Sequence, residues 1–338
     1  MSKKVFLSLF LLLAVALFAI SGCNVTKSDS NSPAPAPSSL TGTPEVGSGG
    51  SISGTAGSNA GALSLVVLDS SGNPISTEAY LKVGNISFEV WSTTTTVAQP
   101  GSVISLTAPA AGTAQNFSLA MTFDTSGSMG YDGSNPVQPL TNAVTAAATF
   151  VDLMAAADEL ALIEFNSYVY PRTALLPMLA ANKTAVKNFL YGFSPSGGTQ
   201  LYDAIVTAVS TLSAATNPRK AVMAMTDGVS SGTLSTAVTA ANNANIPIYS
   251  VGFGTGVNDT DLQALADQTG GFYYYAPNSA DLTALYTRIS QALTNSWTVN
   301  FQIPGTFVTS TTYYIKVYVT YTIGGVEYTG SALFTLTI

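Results

Sequence analysis

From residue 117 to residue 293, short apolar runs alternate with segments of helical periodicity, and this alternation constrains the fold more than any other feature. The runs at 117–123, 160–165, 221–226 and 246–253 are short and almost wholly apolar, as strands buried on both faces are. Helices are expected over about 140–156, 183–190, 199–213, 233–244, 259–268 and 280–293. In the first, Leu140, Val144, Ala147, Val151 and Met154 share one face. Asn166-Ser167 is too short for a crossover, so 168–175 should return antiparallel as an edge hairpin. The expected fold class is α/β, a doubly wound, mostly parallel sheet covered on both faces. Ligands of such sheets sit beyond the carboxyl ends of strands, where strand order reverses.

Strand character without helical periodicity flanks this region. Residues 62–68, 79–91 and 103–106 precede it, and 297–303, 313–321 and 326–338 follow it, with Gly324-Gly325 as a hairpin turn. Neither set is large enough for a domain of its own. The expectation is one β-sandwich in two parts, 62–112 and 296–338, with the α/β domain (113–295) inserted between them. Two separate small β elements are the alternative.

The N-terminus reads as a targeting segment. Lys3 and Lys4 precede an apolar run over 5–20, and Ile20-Ser21-Gly22-Cys23 follows. This resembles a bacterial lipoprotein signal, which implies cleavage after residue 22 and a lipid on Cys23. Asn24 does not match the Asp associated with inner-membrane retention, so the expected location is the bacterial cell envelope, at the outer membrane. Residues 23–61 are rich in Ser, Pro, Gly, Ala and Thr and read as a flexible, lipid-anchored tether.

Composition narrows the chemistry. There is no histidine, and Cys23 is the only cysteine. Ser-His-Asp and Cys-His catalysis, internal disulfides and zinc sites built on His or Cys are therefore excluded. The formal charge of -7 argues against nucleic acid, which needs basic stripes.

What remains is oxygen chemistry. Asp124-Thr125-Ser126-Gly127-Ser128-Met129 leaves the carboxyl end of the first buried strand. An acid and two hydroxyls at alternate positions offer the ligand type that hard divalent cations prefer. Gly197-Gly198-Thr199 opens a later helix, and Thr226-Asp227-Gly228 ends another strand. Together these motifs resemble the von Willebrand factor A-type domain and its metal-ion-dependent adhesion site, of pattern D-x-S-x-S, then a distant Thr, then a distant Asp. The resemblance covers about 117–293. It implies that Ser126, Ser128 and Thr199 bind the ion through hydroxyls, while Asp124 and Asp227 act through waters and hydrogen bonds. The implied ion is Mg²⁺, or Mn²⁺ or Ca²⁺. Neutral hydroxyls leave the ion's charge largely unquenched, so a Glu or Asp from a protein partner can replace a bound water.

The expected function is that of an envelope lipoprotein that grips an acidic side chain of a protein partner, with the membrane as its anchor. A structural subunit of a secretion or pilus-like assembly, with metal stabilising the fold, is the alternative. An enzyme is not expected, since a hydrolase here would lack a histidine to move protons. Asp203 reads as a favourable charge at a helix start. Asn166 and Ser167 lie on the rim with the site, and Asp132 is a minor candidate for a second cation.

Overall fold

The computed structural model describes residues 32–109, 115–130, 139–228, 230–253, 256–276 and 279–338. The signal segment, Cys23 and Asp132 lie outside them.

Five strands come first: β1 (Glu45–Gly54), β2 (Ala60–Leu68), β3 (Ile86–Ser92), β4 (Gln99–Pro100) and β5 (Ser102–Thr107). The α/β region follows as β6 (Phe117–Asp124), α1 (Pro139–Leu153), β7 (Glu159–Phe165), β8 (Val169–Pro171), β9 (Leu176–Pro177), α2 (Ala180–Tyr191), α3 (Leu201–Thr211), β10 (Arg219–Thr226), α4 (Leu234–Ala244), β11 (Ile248–Phe253), α5 (Asp259–Thr269), β12 (Tyr273–Ala276) and α6 (Ser279–Thr294). The chain closes with β13 (Trp297–Gln302), β14 (Thr312–Ile323) and β15 (Val326–Thr337).

The central sheet runs β12-β11-β10-β6-β7-β8, and β9 also pairs with β7. Its first five strands are parallel; β8 and β9 pair antiparallel with β7, and the three-residue connection from β7 to β8 is too short for a crossover. All eight residues of β6 are buried because helices cover both faces. Leu119, Met121 and Phe123 meet α1, α2 and α6 on one side, while Ala120 joins α3, α4 and α5 on the other. From β6 the chain goes to β7 on one side and later to β10 on the other. Strand order therefore reverses between β6 and β10, and Asp124 and Asp227 lie at the two carboxyl ends that flank this point.

The flanking strands make one sandwich. Its sheets are β1-β2-β13-β5 and β15-β14-β3-β4, so each mixes strands from before and after the α/β region. The inner faces share a core in which Phe88 of β3 meets Phe301 of β13 edge to face, 5.3 Å between centroids. Gly324 and Gly325 adopt φ of 57° and 83° between the paired Ile323 and Val326, the backbone a two-residue hairpin needs. In β2, Leu63, Leu65 and Val67 face the sandwich core, while Val66 and Leu68 join the core of the α/β domain. The sandwich is thus packed against the inserted domain.

Two expectations need correction. Much of the tether expected over 23–61 is structured: residues 45–54 form an edge strand, and Ala34 and Leu40 are buried. Gly47 and Gly50 serve close approach rather than freedom. A Cβ on Gly47 would lie 2.5 Å from the Phe272 ring, and one on Gly50 would lie 2.5 Å from the Lys220 carbonyl oxygen. The Ser48 amide and carbonyl bond to Gly270 O (2.6 Å) and Tyr249 Oη (2.5 Å), tying β1 to the α/β domain. Second, the strand expected over 79–91 starts at Ile86. A short 3₁₀ turn, Val83–Asn85, precedes it, and the Asn85 side chain accepts from the amides of Lys82 (3.0 Å) and Ala34 (2.8 Å).

Candidate metal centre

The carboxylate of Asp124 is fixed from both sides. Its Oδ1 accepts from the Ser126 amide at 2.7 Å, which turns the chain sharply after β6. Its Oδ2 accepts from Thr226 Oγ1 at 2.5 Å. Parallel pairing sets Met225 beside Phe123, which brings Thr226 to Asp124. Beyond the turn, the hydroxyls of Ser126 and Ser128 lie 3.0 Å apart, and Ser128 Oγ donates to Asp227 Oδ1 at 2.7 Å. Asp124, Ser126, Ser128 and Asp227 thus form one hydrogen-bonded arc.

The loop that carries Thr199 is braced against this arc. The Gly127 amide donates to the Gly197 carbonyl at 3.0 Å. The Thr199 carbonyl accepts from the Ser231 amide and hydroxyl, both at 2.9 Å, just beyond the loop of Asp227. All three loops are therefore cross-braced, and Thr199 is held by backbone bonds between the other two. Thr199 does not cap the helix: Gln200 is the N-cap of α3, with no capping bond from its side chain.

Asn166 and Ser167 brace the same rim. The Asn166 carbonyl accepts from the Gln200 amide at 2.9 Å, and Ser167 Oγ accepts from the Gly198 amide at 2.8 Å. Asp203 lies in the first turn of α3, exposed to solvent. Two residues of the motifs carry roles that their spacing does not reveal. Thr226 positions Asp124, and Thr125 Oγ1 donates to Glu164 Oε1 at 2.9 Å, joining the turn to β7.

Burial sets the electrostatics. It raises Asp124 to about 6, against the opposing hydrogen bonds from Ser126 and Thr226. It also raises Asp227, which Ser128 counters. Among the described residues the ion pairs are Arg172–Glu164 and Lys187–Asp152, so neither site carboxylate has a basic partner. Two buried acids without a cation are costly, and a bound cation reverses that cost. No three His, Cys, Asp or Glu side chains converge among the described residues, so other oxygen donors would complete any ligand set. The Ser126 and Ser128 hydroxyls beside the two carboxylates fit a hard divalent ion.

The model of the von Willebrand factor type A domain family matches residues 119–288. Inter-alpha-trypsin inhibitor heavy chain H2 of Homo sapiens is 29% identical over 189 residues, 50% of this chain and 20% of that protein. The chain therefore spans about a fifth of the length of that curated relative. Among solved structures, a von Willebrand factor type A protein from Catenulispora acidiphila is 12% identical, with a TM-score of 0.49 over 91% of this chain and 75% of that one. Proximal thread matrix protein 1 from the mussel byssus, solved with a zinc-occupied MIDAS motif, is 17% identical, with a TM-score of 0.48 over 56% of this chain and 49% of that one.

Proposed function

The chain belongs to the von Willebrand factor type A domain family, whose members commonly mediate protein–protein interaction, and from that premise we propose that it binds a protein partner through a divalent metal. The observation that carries this reading is the arc from Asp124 through Ser126 and Ser128 to Asp227 at the strand-order reversal. Ser126, Ser128 and Thr199 would hold the ion through neutral oxygens, with Asp124 and Asp227 orienting the surrounding donors. When bound, the ion (Mg²⁺, Mn²⁺ or Ca²⁺) supplies an electrophilic position for a Glu or Asp of the partner. The chain's own part is to keep that set rigid: both carboxylates are buried, and each has a fixed hydroxyl donor.

Residues 1–22 act as a lipoprotein signal, and a lipid on Cys23 anchors the protein in a bacterial envelope, at the outer membrane. With Ala34 and Leu40 buried and β1 starting at Glu45, the folded body begins well before residue 61. Cys23→Ala is expected to move the protein from the membrane fraction to the soluble fraction.

The function is tested by capturing envelope proteins on the purified chain with and without EDTA, beside Ser126→Ala and Thr199→Ala. Adhesion predicts that EDTA and both variants abolish capture with modest loss of stability. A structural subunit with a stabilising metal predicts a lower melting temperature with capture intact.

A further inference from the structure

Beside the metal loops, a cleft of about 460 Å³ opens between the β7–β8 hairpin and the end of α2. Its edge is shared with the site. Asn166 Nδ2 donates to Ser196 Oγ at 3.4 Å, and the Ser196 amide donates to the Thr125 carbonyl at 2.8 Å. Tyr170 and Phe189 line the cleft, and Phe189 is 41% exposed, so its ring is reachable from solvent. Beyond the lip, Tyr168 stands 69% exposed, its ring 6.4 Å from that of Tyr170.

Charge decides what such a cleft selects. Arg172 donates to Glu164 Oε2 through Nε (2.6 Å) and Nη2 (2.5 Å), so the pair is internally neutralised and a further carboxylate gains little there. The guanidinium also lies over the Tyr170 ring, 4.8 Å from its centroid. Aromatic edges, a stacked guanidinium and no net charge suit a ring better than an ion. The volume falls within the range of ligand pockets, about 300–1,000 Å³. One metal contact gives metal dependence, whereas tight binding needs a buried anchor nearby, and aromatic side chains most often fill that role.

We infer that the partner segment sets an aromatic side chain into the Tyr170–Phe189 cleft while its acidic side chain occupies the metal. This rests on the adhesion reading and specifies the partner: a chain with an acid and an aromatic residue a few positions apart.

The test uses the full chain loaded with Mn²⁺ and fluorescent Gly/Ser peptides. One peptide carries a single Glu, a set adds Phe one to four positions to either side, and a second set adds a second Glu instead. Fluorescence polarisation is expected to show at least tenfold tighter binding for one Phe position. Phe189→Ala and Tyr170→Ala should each remove that gain, while Mn²⁺ uptake measured by calorimetry stays unchanged. Equal binding of all peptides, or a gain from the second Glu alone, overturns the inference while metal-dependent binding of the Glu peptide leaves the adhesion reading standing. Absence of binding by every peptide to the Mn²⁺-loaded chain overturns both.

Discussion

Thr226 Oγ1 donates to Asp124 Oδ2 at 2.5 Å, so the end of β10 orients the carboxylate that ends β6. Both residues are fully buried, and Asp124 has no basic partner among the described residues. Supporting bonds of this kind are worth about 10–100-fold in metal affinity. Thr226→Val is therefore expected to weaken Mn²⁺ uptake by about that factor, with Thr226→Ser restoring it. Titration calorimetry of the three proteins checks this; unchanged affinity in Thr226→Val would show that Asp124 does not need the bond.

A pH dependence follows from Asp124. Burial raises it to about 6, above the ordinary value of 3.8. Between those values the folded protein binds the proton more tightly than the unfolded chain does. The resulting contribution to stability is fully present below 3.8 and is lost as pH rises through about 6. A divalent cation competes with the same proton. The rise in melting temperature on adding Mn²⁺ should be larger at about pH 7.5 than at about pH 5. Asp124→Asn should flatten the difference, and equal shifts at both pH values in the native protein would contradict the assignment.

The seam between β1 and the α/β domain makes a third prediction. Gly50 has a φ of 86°, and its Cβ position lies 2.5 Å from the Lys220 carbonyl oxygen. Gly57 has a φ of 80° with nothing within 4 Å. Gly57→Ala should cost about 1 kcal/mol from backbone strain alone. Gly50→Ala adds a clash with backbone and should cost about 3 kcal/mol or more. Chemical denaturation compares the two. Equal costs would mean that residues 45–54 do not form a packed seam.

That seam also shows where the sequence was hard to read. The α/β domain was legible because strands buried on both faces carry nearly continuous apolar runs, as in residues 117–123 of β6 and 221–225 of β10. The sandwich was legible from alternation in β14, whose residues are buried at every second position. Gly47-Ser48-Gly49-Gly50 has the composition of a linker, but here small residues let a strand pass between two packed layers. Composition alone does not separate the two uses of glycine. The loop motifs around Asp124 and Asp227 were legible because acids and hydroxyls alternate at strand ends. The role of Thr226 is not legible, because a hydroxyl at a strand end reads as ordinary strand content; the signal for it is register, which pairs the ends of β6 and β10.

Everything in the functional account depends on the folded chain taking up a divalent ion at Ser126, Ser128 and Thr199. Calorimetric titration of Mn²⁺ into the native protein, Ser126→Ala and Asp227→Asn tests this most directly. The account predicts uptake of one ion per native chain and at least tenfold weaker uptake in each variant, with all three proteins folded by circular dichroism. No uptake by the folded native chain, or equal uptake by all three, would contradict it.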